Sequence, residues 1–477
     1  MDPATTEATN VCHLVALPYP GRGHINPMMN LCKLIASRQP EILITFVVTE
    51  EWLGFIGSEP KPDNIRFGTI PNVIPSELGR AKDFSGFLEA VSTKTEAPFE
   101  EFLDHLEYPV TAIVADTYLV WVPGFGNRRN IPVASLWTMS ASVFLIFHHF
   151  HLLEKNGHFP VEFSERRHEI VDYIPGLPPT RLENLPTIFY QISKQNLNRA
   201  LECVGEVSKA QYLFFTSVYE LEAQVIDSLQ AEFLFPVYAI GPAIPYFQVL
   251  NQSASAASTT TSLINSPNYY LQWLDSQPAG SVLYVSLGSF LSVSSTQMDE
   301  IVAGVRNSGV RYLFVARGEH LTDLFKDGCG DIDDEMGMVV PWCDQLRVLS
   351  HSSVGGFWTH CGFNSTLEAL YAGVPMLTFP IFMDQVPNSK QIVEDWKVGC
   401  RVKRETGSDY LVSREEISEL VKRFMDSDSD DRKDTKKRAR EVQEFCQVAI
   451  SEGGSSETNL DVFVKDIISK SFSYKST

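Results

Sequence analysis

Residues 342–385 read WCDQLRVLSHSSVGGFWTHCGFNSTLEALYAGVPMLTFPIFMDQ and contain a strand, a helix and a second strand in succession. The apolar runs 355–358 and 375–379 predict short buried strands, and residues 365–371 predict a helix between them. Ser365 and Glu368 have the spacing of a capping box at the start of that helix. A strand–helix–strand order indicates neighbouring parallel strands, so this stretch predicts an α/β fold.

The same alternation extends outward from this stretch into both halves of the chain. Further strands are predicted at 12–18, 41–49, 111–115, 281–287 and 312–316, and further helices at 28–36 and 296–306. The polar, small-residue tract 251–262 predicts an exposed linker or loop between the halves. The sequence therefore predicts two domains, each built on a parallel, doubly wound sheet.

Composition excludes several classes of function. The 477 residues carry a formal net charge of −20, which disfavours binding to nucleic acid or to anionic lipid. No apolar run approaches ~18 residues, so no membrane span is expected. The start of the chain lacks the pattern of a signal peptide, and the eight cysteines are scattered without a metal-binding spacing. A cytoplasmic protein with reduced thiols is expected.

His24 and Asp116 are the candidate catalytic residues of the first half. His24 follows the first predicted strand in a predicted glycine-rich turn at residues 21–24, and Asp116 follows the strand at 111–115. A carboxylate beside an imidazole fixes its tautomer and makes it a better general base. Taken alone, each residue also fits a structural role, and the spacing does not establish that the two side chains meet.

Motifs of the commonest rival enzymes are absent from the sequence. A dinucleotide fingerprint would need glycine where Asn26 stands, so a nicotinamide-dependent reductase is disfavoured. There is no G-x-S-x-G nucleophile elbow, no P-loop and no H-E-x-x-H metal helix.

The helix that begins near Ser365 has the features of an anion site. Its N-terminus offers free N–H groups after the turn 359–362, where a pyrophosphate would fit, with His360 as an added donor. Trp342 offers an aromatic face to a flat base. Asp384 and Gln385 lie on a polar loop after a strand, where functional groups are common.

Taken together, residues 342–385 closely resemble the signature box of plant family 1 glycosyltransferases, which use UDP-sugars on small metabolites. Trp342 opens the box, with H-C-G at 360–362, N-S-T-L-E at 364–368, A-G-V-P at 372–375 and D-Q at 384–385. Four other segments also resemble this family, so the likeness covers nearly the whole chain; they are residues 18–27, 239–242, 284–289 and 453–460.

The resemblance implies the GT-B fold: two facing Rossmann-like domains with parallel sheets, and a C-terminal helix that returns to the first domain. The implied acceptor-binding domain is 1–245, the linker 246–268, the UDP-sugar-binding domain 269–455 and the returning helix 456–477. It also implies a transfer that inverts the anomeric carbon. The expected reaction moves glucose from UDP-glucose to a hydroxyl of a small apolar molecule such as a terpenoid, phenolic or other alcohol. Neither a metal nor a further cofactor is expected, and a monomer is expected.

The family's site residues carry over to matching positions of this chain. His24 would be the general base and Asp116 its partner. The residues expected to bind UDP are Ser289, Trp342, Cys343, Gln345, His360, Gly362, Asn364, Ser365 and Glu368. Those expected to contact the sugar are Thr138, Asp384 and Gln385.

The chain departs from the family pattern at three positions, and its acceptor site is weakly defined. Cys343 and Asp344 replace the common Ala-Pro after Trp342, and Phe363 replaces a tryptophan. Residues 143–150 and 214–215 supply apolar side chains, most of which are expected to be core, and residues 144–151 are expected to line the acceptor pocket. A catalytically silent sugar-nucleotide-binding protein remains as an alternative.

Overall fold

The computed structural model describes residues 11–80, 82–161, 163–191, 194–246, 269–288, 293–316, 336–403 and 410–473. Contacts divide the chain into two compact units. The first comprises Met1–His151, Ser193–Ala243 and Ala449–Thr477, and the second comprises Leu152–Ile192 and Ile244–Val448. Apart from Tyr246, the predicted linker 246–268 lies outside the described residues.

The strands, in chain order, are β1 (His13–Leu17), β2 (Leu43–Thr49), β3 (Ile65–Ile70), β4 (Ala112–Asp116), β5 (Val133–Trp137), β6 (Ile170–Val171), β7 (Thr180–Arg181), β8 (Tyr212–Phe215), β9 (Val237–Ala239), β10 (Val282–Ser286), β11 (Arg311–Val315), β12 (Gly337–Val340), β13 (Val354–Thr359), β14 (Met376–Thr378) and β15 (Gly399–Arg401).

The helices are α1 (Arg22–Arg38), α2 (Glu50–Ile56), α3 (Phe84–Lys94), α4 (Glu96–Asp104), α5 (Val122–Arg129), α6 (Ala141–His148), α7 (Phe150–Lys155), α8 (Phe163–Arg166), α9 (Ile188–Gln191), α10 (Lys194–Glu206), α11 (Tyr219–Glu232), α12 (Tyr269–Asp275), α13 (Ser295–Asn307), α14 (Gln345–Leu349), α15 (Phe363–Ala372), α16 (Gln385–Lys390), α17 (Arg414–Met425), α18 (Asp430–Ile450) and α19 (Ser455–Ser473). Short 3₁₀ turns lie at Glu77–Gly79, Leu182–Asn184 and Val207–Lys209, and a π-helical turn at Gln391–Asp395.

The first unit is built on a seven-stranded parallel sheet in the order β3-β2-β1-β4-β5-β8-β9. The strand order reverses between β1 and β4, which are paired up to Leu17 and Ala115. In open α/β sheets, ligands bind beyond the carboxyl ends of the strands at such a reversal. The loops that follow β1 and β4 therefore surround the expected ligand site of this unit.

The first sheet is covered by apolar side chains on both faces. Successive side chains of a strand point to opposite faces, and β1 shows this directly. Leu14 and Ala16 belong to one buried cluster, whereas Val15 and Leu17 belong to another. α19 packs into the first of these clusters through Leu460, Phe463, Val464 and Ile467. The predicted return of the C-terminal helix to the first domain is confirmed.

The second unit contains a six-stranded parallel sheet in the order β12-β11-β10-β13-β14-β15. Its order reverses between β10 and β13. Leu283 and Val285 of β10 pack in one core with apolar residues of α13 and α17. A small antiparallel pair, β6-β7, belongs to the same unit. The predicted α/β fold with two parallel Rossmann-like sheets is confirmed.

Two local predictions are wrong. The glycine-rich segment at 21–24 is not a separate turn, because α1 begins at Arg22 and includes Gly23 and His24. The capping box at Ser365 and Glu368 does not form, because α15 begins two residues earlier with Gly362 as its N-cap.

None of the helices within the described ranges is long and apolar enough to cross a membrane.

Candidate active site

His24 and Asp116 meet at the reversal point of the first sheet. His24 lies in the first turn of α1, just after β1, and Asp116 is the last residue of β4. The imidazole Nδ1 of His24 lies 2.7 Å from Oδ2 of Asp116. The Asp116 side chain is 1% exposed and that of His24 is 23% exposed. The carboxylate is thus shielded from water, while the imidazole remains accessible to a substrate.

Hydrogen bonds around Asp116 determine the tautomer of His24. An ionised carboxylate only accepts hydrogen bonds, so Nδ1 of His24 carries the hydrogen that faces it. The other oxygen, Oδ1, accepts a bond from the Tyr118 backbone N–H at 2.9 Å, which fixes the carboxylate. The Thr138 hydroxyl lies 3.0 Å from the same Nδ1. The lone pair of the neutral imidazole is then at Nε2, where it can accept a proton.

Two tyrosines hold the imidazole ring of His24. Its centroid lies 4.9 Å from that of Tyr19 and 5.9 Å from that of Tyr118, with the second pair edge-to-face. Contacts on two sides restrict ring rotation, so Nε2 keeps one direction.

An ion pair between the buried Arg80 and the half-buried Glu77 supports the segment that precedes α1 and His24. Arg80 donates from Nη1 to the Pro20 carbonyl at 3.1 Å and pairs with Glu77 at 3.1 Å. A Cβ on Gly21 would lie 2.4 Å from the same Nη1, so a larger residue there would require the guanidinium to move. Burial lowers the pKa of Arg80 and raises that of Glu77.

An apolar cavity lies in the first unit, next to the segment that leads from β1 into α1. Pro18, Pro20 and Ile25, which flank His24 in sequence, line part of it. The rest of the wall is mostly apolar and includes Leu17, Val47, Trp52, Ile70 and Leu119. A wall of this kind is typical of sites that bind apolar ligands.

His360 lies at the reversal point of the second sheet, after β13. Its ring packs directly on two glycines: a Cβ on Gly288 would lie 2.7 Å from Nε2, and one on Gly362 2.5 Å from it. Gly288 also has φ +84°, a conformation that disfavours other residues. Gly362 is the N-cap of α15 and has no side chain that could bond the N-terminus of that helix. Its first-turn N–H groups can therefore bind an anion such as a diphosphate.

Polar side chains near this helix form a connected group in the second unit. Gln345 donates from Nε2 to the Ser365 hydroxyl at 2.9 Å and to Oε2 of Glu368 at 2.5 Å. The Tyr284 hydroxyl donates to Oε1 of Gln345 at 3.1 Å. Burial raises the pKa of Glu368 to about 7, and the bond from Gln345 partly offsets this rise. The side chains of such a group can form hydrogen bonds with the two neighbouring hydroxyls of a ribose.

Trp342 and Cys343 lie just before α14, the helix that begins with Gln345. The Trp342 ring is 63% exposed, unusual for so large an apolar side chain, and is available to stack on a flat ligand. The Cys343 side chain is buried, with its Sγ 3.4 Å from the Tyr284 hydroxyl. The backbone of Cys343 is thereby fixed next to the exposed ring.

Asp384 and Gln385 lie at the start of α16, as its N-cap and first residue, and not within the loop that the sequence predicted. Oε1 of Gln385 accepts from the backbone N–H groups of Ile381 and Phe382 at 2.8 and 2.9 Å. This leaves the NH₂ end of Gln385 to donate to a sugar hydroxyl. Oδ2 of Asp384 accepts from Asn388 at 2.8 Å.

Comparison with known proteins identifies the family. The family model of UDP-glucoronosyl and UDP-glucosyl transferases matches residues 209–424. UDP-glycosyltransferase 87A2 of Arabidopsis thaliana is 53% identical to this chain, over 98% of the chain and 99% of its own length. The chain belongs to the plant family 1 UDP-glycosyltransferases.

Solved structures of plant glycosyltransferases share this fold. UGT2 of Phytolacca americana, complexed with UDP-2fluoro-glucose and pterostilbene, superposes with a TM-score of 0.78 and is 26% identical. UGT71G1 of Medicago truncatula, complexed with UDP-glucose, has a TM-score of 0.77 and is also 26% identical. Both comparisons cover 96% of this chain and 99% of the other. This glycosyltransferase therefore has the GT-B fold and transfers a sugar from a UDP-sugar.

The predicted site residues of the glycosyltransferase fall into two groups. In the first unit, His24, Asp116 and Thr138 are in contact. In the second unit, hydrogen bonds join Gln345, Ser365 and Glu368, and His360 contacts Gly362. Asn364 lies in the first turn of α15. Ser289 lies outside the described residues. The ligand contacts of all these residues stay predictions.

Sequence reasoning missed two residues that shape the glycosyltransferase site. Thr187 bonds the residue before Asp384: its hydroxyl accepts from the Met383 N–H at 2.8 Å, and its own N–H donates to the Met383 carbonyl at 3.2 Å. Met383 has φ +55°, so these bonds hold a strained backbone. Arg80 was missed too. Neither residue belongs to a recognisable motif.

The departures from the family pattern have structural explanations. Asp344 is the N-cap of α14, and its side chain accepts a hydrogen bond from the Arg347 N–H at 3.2 Å. Aspartate and proline are both common at the start of a helix, so Asp344 can stand where the family has proline. Phe363 is buried, with 3% of its surface exposed, so it acts as a core residue. The expected acceptor surface at 143–150 and 214–215 is largely core, since Val143, Phe144, Phe214 and Phe215 are fully buried.

Proposed function

We propose that this glycosyltransferase moves glucose from UDP-glucose to a hydroxyl of a small apolar molecule, with inversion at the anomeric carbon. The observation that carries this proposal is the Nδ1–Oδ2 contact of 2.7 Å between His24 and Asp116. It leaves Nε2 of a neutral imidazole as the group that takes the acceptor proton. The alternative of a silent binding protein gives no reason for this pair.

The proposed step is a single displacement. His24 removes the proton from the acceptor hydroxyl as the oxygen forms a bond to the anomeric carbon, and the bond to the UDP oxygen breaks. Asp116 stabilises the imidazolium that results. One displacement inverts the carbon, so the α-linked donor gives a β-glycoside.

The donor is proposed to bind in the second unit. The uracil stacks on Trp342 and bonds to the backbone of Cys343, and the ribose hydroxyls bond to Gln345 and Glu368. The N–H groups of α15 and the His360 side chain meet the diphosphate, together with Ser289, Asn364 and Ser365. Because these groups supply positive potential, we propose that catalysis needs no metal ion.

Glucose is the proposed sugar, and Asp384, Gln385 and Thr138 its proposed contacts. Support comes from the Medicago and Phytolacca enzymes, which were solved with UDP-glucose and a fluorinated analogue of it. The donating NH₂ of Gln385 suits a sugar hydroxyl.

The acceptor is proposed to be a small apolar alcohol or phenol. The cavity next to the start of α1 has a mostly apolar wall, which suits such a molecule. The Phytolacca enzyme was solved with pterostilbene.

We also propose a cytoplasmic location and a monomeric state. Within the described residues all cysteines are free thiols, which fits a reducing compartment. Light scattering during gel filtration checks the monomer: a mass near 53.5 kDa is expected.

A screen of terpenoid and phenolic alcohols with UDP-glucose tests the activity. Mass spectrometry is expected to find a product heavier by one anhydrohexose, and proton NMR to find a β linkage. A parallel thermal-shift assay with UDP, UDP-glucose and NADPH reports binding, since a ligand at 100 times its Kd stabilises by about 2.7 kcal/mol. UDP binding without transfer to any acceptor, or an α-linked product, contradicts the proposal.

A further inference from the structure

Two histidines and a glutamate converge in the first unit, outside the site described above. Nε2 of His148 lies 3.0 Å from Oε2 of Glu232, and Nε2 of His149 lies 3.0 Å from Oε1 of the same carboxylate. The three potential ligand atoms all lie within 4.8 Å of one another. We refer to His148, His149 and Glu232 as the two-histidine cluster.

The ends of two helices place this cluster. His148 is the last residue of α6, His149 is its C-cap, and Glu232 is the last residue of α11. The His148 ring stacks on Phe144, one turn earlier in α6, with centroids 6.1 Å apart. It also contacts Phe233, the C-cap of α11, at 5.2 Å. These aromatic contacts fix the direction of the imidazole.

The opposite end of α6 is held by the same partner helix. Glu222 of α11 accepts from the backbone N–H groups of Ala141 and Ser142 at 3.0 and 2.9 Å. α6 is therefore bonded to α11 at its first turn, while the two-histidine cluster joins the two helices at their last residues. Two anchor points limit sliding of the helices and keep the cluster residues in register.

The state of His149 suits metal ligation. Its side chain is 9% exposed, and among the described residues its Nε2 has no aligned hydrogen bond despite the short distance to Glu232. Burial lowers the pKa of His149, and the neighbouring His148 and His151 lower it further, while Glu232 opposes them. A buried ring nitrogen without an aligned hydrogen bond is a position that a metal ion can fill.

We propose that His148, His149 and Glu232 bind a zinc ion, with water in the fourth position. Two imidazoles and one carboxylate are a common three-residue ligand set for zinc. Magnesium and calcium instead prefer oxygen ligands alone. The sequence predicted no metal site because 84 residues separate His148 from Glu232.

The zinc ion has a structural role in this proposal. It bridges the last residues of α6 and α11, and α6 follows β5 and Thr138, whose hydroxyl contacts His24. Zinc binding closes a loop of the folded chain and stabilises it by mass action. Sugar transfer itself does not use this ion.

Calorimetry with the full chain, purified without a polyhistidine tag and treated with EDTA, tests the site. At about pH 7.5 one equivalent of zinc is expected to bind and raise the melting temperature, and magnesium at the same concentration is expected to do neither. Glu232→Gln and His148→Asn are each expected to weaken zinc binding at least ~10-fold, as loss of a ligand requires. His105→Ala, at an exposed histidine of the same unit, is the matched control and keeps the wild-type affinity.

Melting in EDTA shows whether each variant still folds, and His148→Asn serves if Glu232→Gln does not. The proposal is overturned if the wild-type chain binds no zinc at about 100 µM, or if a folded variant of the cluster binds zinc as tightly as the wild type.

Discussion

The carboxylate of Asp116 lies 2.7 Å from the imidazole of His24, although 92 residues separate them in the chain. β1 and β4 are neighbours in the sheet, so the residues that follow them share one edge. The relationship gives His24 a fixed tautomer and a shielded negative partner. Proton transfer should therefore depend on His24, while UDP binding should not.

His24→Ala is expected to abolish sugar transfer and leave UDP binding intact. The variant loses the general base, whose contribution is typically at least ~100-fold in rate, but the UDP-binding residues belong to the second unit. Product formation and calorimetric UDP titration measure the two properties. Loss of UDP affinity together with activity would contradict the role assigned to His24.

Trp342→Ala is expected to weaken UDP binding by about 10- to 100-fold, since stacking on a base contributes about 1–3 kcal/mol. The melting temperature without ligand should hardly change, because the ring is 63% exposed. Calorimetry and thermal melts give both values. Phe445→Ala, at another exposed aromatic, is the control and should bind UDP normally. Unchanged UDP affinity in Trp342→Ala would remove the stacking role.

Glu368→Gln is expected to change how stability depends on pH. Burial raises the pKa of Glu368 to about 7, so between its ordinary value and pH 7 the folded chain holds a proton that the unfolded chain releases. The free energy of unfolding therefore falls as pH rises through this window, and glutamine removes that fall. In thermal melts, the stability of the variant relative to wild type should be greater at about pH 8 than at about pH 5.

Glu419→Gln, at an exposed glutamate, is the control for this comparison. It should follow the wild-type curve. A difference between Glu368→Gln and wild type that stays constant with pH would mean that Glu368 does not titrate in this range.

Thr187→Val is expected to raise the KM for UDP-glucose about 3- to 10-fold, because loss of one hydrogen bond costs roughly 1 kcal/mol. The hydroxyl that supports Met383 is lost, so the adjacent Asp384 and Gln385 lose their fixed position. Affinity for UDP, which lacks the sugar, should change less. Thr187→Ser retains the hydroxyl and should restore the KM; equal defects in both variants would indicate a packing effect instead.

Gln385→His is expected to shift donor preference toward UDP-galactose relative to UDP-glucose. Glucose and galactose differ only in the configuration of the C4 hydroxyl. The substitution replaces the amide NH₂ of residue 385 with an imidazole N–H as the hydrogen-bond donor to the sugar. Initial rates with both donors give the ratio. An unchanged ratio would show that Gln385 does not read the sugar.

Residues at the ends of regular elements could be predicted from the sequence. Apolar runs mark the strands, and parallel strands end at one edge, so His24 and Asp116 were correctly placed at the same edge of a sheet. The helix after β13 was likewise found from its pattern. Family resemblance added the roles.

Tertiary contacts explain what the sequence could not reveal. Ser365 and Glu368 have a local capping pattern, but Gln345 bonds both side chains from a different helix. Thr187 reaches Met383 across 196 positions of chain without any periodic signal. The glycines before His24 suggested a turn, yet α1 begins at Arg22, with Gly21 in contact with Arg80.

The apolar face of α19 fills a gap in a core whose other members are made hundreds of residues earlier. A ribosome synthesising this protein therefore completes the second unit before it supplies the last piece of the first. Until then the nascent first unit exposes the apolar surface that Leu460 and Phe463 later cover. Deletions or fusions that disturb α19 should for the same reason impair folding at the opposite end of the sequence.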